Sequence, residues 1–276
     1  MIPRAHITAW RRTAPWSSDA QVEQDLVISR ALVEIYSDPV LSSSLAFRGG
    51  TALHKLYLSP ASRYSEDIDL VQLEAGAIGS VIGGLRSRLD HWLGEPRRKQ
   101  SEGRMTLLYR FESEVPPVTP LRLKIEVNTR EHFSLLSLAR KRVSVNNPWF
   151  VGVAEVSTYE LEELLATKLR AFYQRKKGRD LFDLSTALVR FPNLDAEKVI
   201  RCFQHYMEAN GARVSRAEFE ANLAEKLSDQ VFRGDVAPLL VLSDNADLQF
   251  NVIRAAESVR DSFLSRLPGE PWKGLG

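Results

Sequence analysis

The chain has 276 residues, of which 44% are hydrophobic and 26% charged, with a formal net charge of +2. This is a globular composition, long enough to bury a core without cross-links. The near-neutral balance does not by itself announce a nucleic-acid partner and excludes a strongly basic chain, so any basic surface has to be local. Cys202 is the single cysteine, which excludes an internal disulfide and a multi-cysteine zinc site. Its helical setting beside Val199 and Phe203 reads as a buried structural thiol, and a reduced, cytoplasmic compartment fits. The N-terminus, with Arg4, Trp10, Arg11 and Arg12, carries no apolar signal run. Apolar stretches such as Ala237 to Leu242 are far too short to span a bilayer. A soluble, intracellular protein is expected.

The first predicted element is a helix over 18–37. Ser18 is its candidate N-cap, and Val22, Leu26, Val27, Ala31, Leu32 and Ile35 recur at helical spacing before Pro39 stops it. The period then changes. Leu45-Ala46-Phe47 reads as a short strand ending in Arg48-Gly49-Gly50, and Thr51 to Tyr57 as a helix leaving that glycine turn. Strands are expected at Ile68 to Leu73, Met105 to Phe111 and Leu121 to Asn128, with a helix over 77–93 and a proline-rich loop at Pro116, Pro117 and Pro120. From Ser157 the pattern is helical, with Ser157 and Glu160 spaced as a capping box. Further helices are predicted near 180–190, 195–209, 215–228 and 245–265, and the tail from Pro268 reads as frayed. There is no internal repeat. The expected fold is α+β: an N-terminal helical segment over 1–40 packed on the core, a small mixed-sheet unit over 41–150, and a helical bundle unit over 151–276. No flexible linker divides the last two, so a shared cleft is expected.

Four features carry chemistry. On the strand Asp67-Ile68-Asp69-Leu70, alternation puts Asp67 and Asp69 on one face. Two adjacent carboxylates repel unless a cation sits between them. Magnesium takes a few carboxylate oxygens together with phosphate oxygens; the alternative is a solvated strand end. Upstream, Gly49-Gly50-Thr51 opens a helix, where paired glycines let backbone N–H groups approach a phosphate and Thr51 adds a hydroxyl. In the strand 121–128, Arg122, Lys124, Glu126 and Asn128 face away from Leu121, Leu123, Ile125 and Val127. Glu126 is a candidate third carboxylate, as metal ligand or general base, or else an exposed strand glutamate. On the helix after Ser157, Lys168 falls inside the stripe of Leu161, Leu164, Leu165, Leu169 and Phe172, with Arg175 near its edge. A lysine so placed meets an anion such as a triphosphate, snorkels to solvent, or pairs with a buried acid.

The ordered set formed by 47–57 (Phe47-Arg48-Gly49-Gly50-Thr51 onward), 63–70 (Arg63-Tyr64-Ser65-Glu66-Asp67-Ile68-Asp69-Leu70) and 168–184 (Lys168 through Arg175 to Arg179-Asp180) resembles the AbiEii/AbiGii toxin family. That family belongs to the DNA polymerase β-like nucleotidyltransferases. The resemblance covers about 47–184; beyond about 190 only the helical character matches. It implies that Gly49, Gly50 and Thr51 hold a nucleoside triphosphate, with Ser65 part of the Ser-x-Asp-x-Asp pattern. It further implies that Asp67 and Asp69 bind Mg2+, that Lys168 contacts phosphate with Arg175 nearby, and that Asp180 is the family's later acidic position. Thr51 stands where many relatives carry Ser, and the hydroxyl survives. The function implied is transfer of a nucleotide to an acceptor, for some members the tRNA 3′ end, by the toxin of a bacterial toxin–antitoxin or phage-defence system. The antitoxin would be a separately encoded protein, and no membrane is involved.

The residues leave the acceptor open among RNA, a protein hydroxyl and a small molecule, with a nucleotide-binding regulator of little turnover as a further alternative. Basic clusters at Arg97-Arg98-Lys99, Arg140-Lys141-Arg142 and Arg175-Lys176-Lys177 can track a phosphate backbone or simply be solvated.

Overall fold

The computed structural model describes residues 2–14, 16–240 and 250–274. The chain divides into two compact units, Met1–Tyr159 and Glu160–Gly276.

The first unit opens with a short helix that the sequence pattern did not announce, α1 (Arg4–Trp10), followed by α2 (Asp19–Tyr36). Ser18 caps α2 as expected: its hydroxyl accepts from the Gln21 N–H, and the Gln21 side chain accepts from the Ser18 N–H. The expected stripe is buried, but so are Glu23, Gln24, Asp25 and Ser29. Each of these has polar work to do: Gln24 donates to the Arg122 carbonyl at 2.7 Å, and Glu23 accepts from the Glu114 N–H at 2.9 Å. After Pro39 the chain does not unwind. Asp38 caps a further turn, α3 (Pro39–Ser44), in which Pro39 takes the first-turn position where a missing N–H costs nothing.

Then follow β1 (Leu45–Arg48), α4 (Gly49–Leu56), β2 (Asp67–Gln72), α5 (Gly79–Leu93), β3 (Arg97–Ser101), β4 (Arg104–Glu112), β5 (Pro120–Asn128), β6 (Leu138–Asn147) and β7 (Phe150–Tyr159). The seven strands form one mixed sheet in the order β3-β4-β5-β2-β1-β7-β6. The β2–β5 and β1–β7 pairs are parallel and the other four antiparallel. On one face, Ile68, Leu70, Met105, Leu107, Tyr109, Leu123, Ile125 and Val127 are buried.

The expected capping box at Ser157 is absent. β7 runs through this stretch to Tyr159, and Ser157 is a buried strand residue whose hydroxyl donates to the Ser42 carbonyl. The β-branched run of Val151, Val153 and Val156 favours pairing with β6 over an early helix start. Among the described residues, no helix is long and apolar enough to cross a membrane.

The second unit is helical: α6 (Leu161–Gln174), α7 (Gly178–Arg190), α8 (Ala196–Glu208), α9 (Arg216–Ser228), the short α10 (Gln230–Gly234) and α11 (Val252–Ser262). Residues 245–249 of the last predicted helix lie outside the described residues. The Phe172, Phe203 and Phe219 rings meet in its core, with Phe219 centroids 5.8 and 5.7 Å from the other two. Lys226 of α9 is buried with its ammonium donating to the carbonyls of Phe172 and Tyr173, at the open end of α6. Burial pulls its pKa down to about 8. Cys202 is buried, and that burial lifts its thiol to about 11, which leaves it an unreactive packing residue. From Pro268 to Trp272 the tail is held rather than frayed: Pro268 accepts from the Arg216 N–H at 2.8 Å, and the Trp272 N–H donates to Glu220 at 2.8 Å.

Candidate active site

The expected nucleotide-binding and acidic residues of the first unit converge at the ends of β1, β2 and β5. The β2–β5 register sets Asp67 opposite Lys124 and Asp69 opposite Glu126, while Arg48 of β1 stands opposite Asp69 on its other side. Residues directly opposite each other share a face. Asp67, Asp69 and Glu126 therefore project together from the side of the sheet away from Ile68, Leu70 and Ile125.

The glycine turn leans on this acid face. Gly49 has φ +82°, and a methyl group there would lie 2.3 Å from Asp69 Oδ2. Backbone and carboxylate can come this close only because position 49 has no side chain. At Gly50 a methyl would lie 2.7 Å from the Arg63 guanidinium and 3.3 Å from Ser65 Oγ. The Thr51 hydroxyl donates to Ser65 Oγ at 2.8 Å, which ties the start of α4 to the Ser-x-Asp-x-Asp segment. The flank of the same helix borders a cavity of about 300 Å³ lined by Thr51, Arg63, Ser65 and the Asp25–Lys55 ion pair.

Lys124 is a component that sequence reasoning left unassigned. Its ammonium lies 2.9 Å from Asp67 Oδ2 and 3.7 Å from Glu126 Oε2. Burial opposes its charge, but the Asp67 hydrogen bond and the acids around it win, so its pKa is raised. The signal was its place two residues before Glu126 on the outward face of β5. Glu126 also takes Arg104 at 3.0 Å. Even with these cations present, burial first and Asp67 second push the Asp69 carboxyl above the usual carboxylate range, and Glu126 adds to the push. The face remains short of positive charge.

Among the described residues, no three acid, histidine or cysteine side chains close into a metal cage. Magnesium does not need one: it is held by one or two carboxylates together with substrate phosphates. Asp67 and Asp69, with the strained ionisation of Asp69, fit that donor set.

Lys168, Arg175 and Asp180 form a cluster within the helical unit. Lys168 is buried, with its ammonium 3.1 Å from Asp180 and 2.9 Å from Asp183. Arg175 grips Asp180 through Nε at 2.7 Å and Nη2 at 2.9 Å. Burial raises the Asp180 carboxyl, but Lys168 and Arg175 outweigh it and hold it below the usual range. Of the three settings open to Lys168, the structure has pairing with buried acids. Asp183, quoted only as part of a motif, proves to be its second partner.

The basic clusters differ in their local settings. Lys176 is bound to Glu225 and Asp229 at 3.1 and 3.2 Å, and Lys177 approaches Asp235 at 3.7 Å. Lys141 lies over the Tyr57 ring at 4.5 Å. Arg97, Arg98 and Lys99 are exposed along β3.

A sequence model described as "Nucleotidyl transferase AbiEii toxin, Type IV TA system" matches residues 30–257. The chain belongs to the AbiEii toxin family. As a member it is a nucleotidyltransferase of the type IV toxin–antitoxin class, and AbiEii membership implies a nucleotide substrate and an antitoxin partner. Among solved structures, MenT4, a nucleotidyltransferase toxin from Mycobacterium tuberculosis, is similar in fold. It has TM-score 0.63 and 16% identity over 97% of this chain and 91% of that one. JHP933 from Helicobacter pylori follows with TM-score 0.54 and 14% identity over 89% and 90%. No curated protein sequence matches. The AbiEii match runs through every predicted site residue from Gly49 to Asp180.

Proposed function

We propose that this AbiEii protein transfers a nucleotide from a nucleoside triphosphate to an RNA hydroxyl, with the tRNA 3′ end as acceptor, in the cytoplasm. In that role it would arrest its host or an infecting phage unless held in check by its antitoxin. The observation that carries this reading is the shared face of Asp67, Asp69 and Glu126 beside a glycine turn that only a residue without a side chain can make.

In the proposed reaction the acceptor oxygen attacks the α-phosphorus. The bond from that phosphorus to the bridging oxygen of the β-phosphate breaks, and pyrophosphate leaves. Gly49, Gly50 and Thr51 hold the triphosphate through backbone N–H groups, and the Thr51 hydroxyl, by donating to Ser65, leaves the Ser65 hydroxyl proton for a phosphate oxygen. Asp67 and Asp69 would hold Mg2+, which when bound offsets charge on the attacking and leaving oxygens. Glu126 takes the proton of the acceptor hydroxyl. Lys168 and Arg175, set by Asp180, are the cations assigned to the triphosphate.

The test incubates the purified protein with magnesium, each radiolabelled nucleoside triphosphate and total bacterial RNA, beside the Asp67→Ala/Asp69→Ala variant. Label in a tRNA-sized band that the variant does not produce is the expected result. Label on protein moves the acceptor; full transfer by the variant overturns the assignment.

A further inference from the structure

The sheet register extends the acid face outward into a basic one. Across β4, Thr106 stands opposite Glu126, Leu108 opposite Lys124 and Arg110 opposite Arg122. Across β3, Arg97 stands opposite Leu108 and Lys99 opposite Thr106. Because opposed residues share a face, Arg97, Lys99, Arg110 and Arg122 project on the same side as Asp67 and Asp69. The other side of β4 and β5 is core, so these cations cannot turn inward. All four are exposed.

Their pairing differs along the path. Near the acids, Arg104 is taken up by Glu126 at 3.0 Å, and Arg122 approaches Glu66 at 3.6 Å. Farther out, Arg97, Lys99 and Arg110 have no ion-pair partner among the described residues, although Glu112 lies at the far end of the face opposite Pro120. Positions i and i+2 on one strand are about 7 Å apart, and β3 is three strand spacings, roughly 14 Å, from β2. This is a one-sided run of cations that is ion-paired beside the carboxylates and carries unneutralised positive charge farther out. Its complement is a polyanion whose end reacts and whose body lies across the sheet.

We propose that this outer sheet face is the track for the acceptor's phosphodiester backbone, with Arg97, Lys99 and Arg110 contacting phosphates. The proposal rests on the RNA-directed reading above. It uses the basic cluster that is joined to the acid-bearing strands β2 and β5 through β4; Arg140 and Arg142 are also exposed, but stand on β6 at the opposite margin of the sheet. Arg98, in the same cluster, stands opposite the core residue Leu107 and so belongs to the other side. Phosphate contacts of this kind set position and affinity and are indifferent to base sequence.

The experiment measures transfer to tRNA and the salt dependence of tRNA binding for Arg97→Ser/Lys99→Ser/Arg110→Ser, for Arg97→Ser alone and for Arg98→Ser, each checked for folding by thermal melting. The triple variant is expected to raise the KM for tRNA at least tenfold. It should also flatten the slope of log affinity against log salt by about 2, as loss of three single-strand phosphate contacts requires. Arg98→Ser, which removes a charge from the same strand, is expected to match the parent. An unchanged KM and slope in the triple variant, with the parent labelling tRNA normally, overturns the track alone. A parent that labels no RNA overturns the underlying reading. Equal damage from Arg98→Ser and from Arg97→Ser alone overturns the facial assignment and reduces the effect to net charge.

Discussion

Gly49 and Asp69 meet so closely that a single methyl group on Gly49 would lie 2.3 Å from the Asp69 carboxylate. The glycine turn and the acid pair are therefore one device. Gly49→Ala has to fit a side chain at φ +82°, at a backbone cost of about 1–2 kcal/mol, and also displace Asp69. Transfer is expected to fall about a hundredfold, the scale of a 1 Å misplacement, with a lower melting temperature. An alanine variant that turns over at the parental rate would separate the two elements.

Asp69 is held above the ordinary carboxylate range by burial and by Asp67, so its charge costs folding free energy. The sign follows from linkage. A raised folded pKa means stability declines as pH rises from the unfolded value through the folded one, and the penalty stays in full above it. Asp69→Asn should therefore melt higher than the parent at neutral pH in the absence of metal, with the gap closing below about pH 4. The same variant should lose transfer. A parent more stable than Asp69→Asn at pH 7 without metal would show that the acid face is already neutral.

Lys124 supplies part of the positive charge that a cation would otherwise bring to Asp67 and Glu126. Lys124→Gln should lower the melting temperature of the metal-free protein and enlarge the rise caused by added magnesium. Equal magnesium-induced shifts in both proteins would exclude Lys124 as a competing cation.

Lys168 neutralises two carboxylates that are fully buried, Asp180 and Asp183. Removing one partner of a buried ion pair costs about 3–5 kcal/mol, and denaturant unfolding of Lys168→Ala is expected to show a loss on this scale. Asp180 has its carboxyl lowered, so its stabilising charge is in force above the unfolded carboxylate value and is lost as pH falls through the lower folded value. Lys168→Ala should raise that acid limit. A fall in nucleotide use with unchanged stability would instead isolate a direct phosphate role.

Lys226 has its pKa lowered to about 8 from an ordinary 10.5. Between these values the unfolded chain binds the extra proton, so this lysine makes stability rise with pH from about 8 to 10.5, by up to about 1.4 kcal/mol per unit. Comparison with Lys226→Met across this range isolates the effect from other groups; parallel curves would refute it.

Much of this was legible in the chain itself. Period-two alternation put Asp67 with Asp69 and Glu126 with Lys124, and a glycine pair before an amphipathic helix marked the turn. Alternation cannot give register, which depends on which strands pair. Hence the opposition of Asp69 and Glu126, and the alignment of Arg97 with Leu108, emerged only in the folded sheet. Ser157 misled because a hydroxyl three residues before Glu160 is as compatible with a strand end as with a cap. The tail was read as frayed because its proline and glycine content says nothing about Glu220, 52 residues earlier, which receives the Trp272 N–H. For Lys168 the pattern left a ligand anion, a route to solvent and a buried acid all open, and could not single out the acids at the start of the next helix.

The order of strands leaves β3 at one margin of the sheet. A free margin offers unpaired backbone groups to any passing strand and is a standing route to aggregation. Here that margin carries Arg97, Arg98 and Lys99 in succession, all exposed. Two such margins zipped together would crowd six cations into adjacent positions. Charge repulsion thereby guards β3 against self-association where, among the described residues, the strand lies exposed.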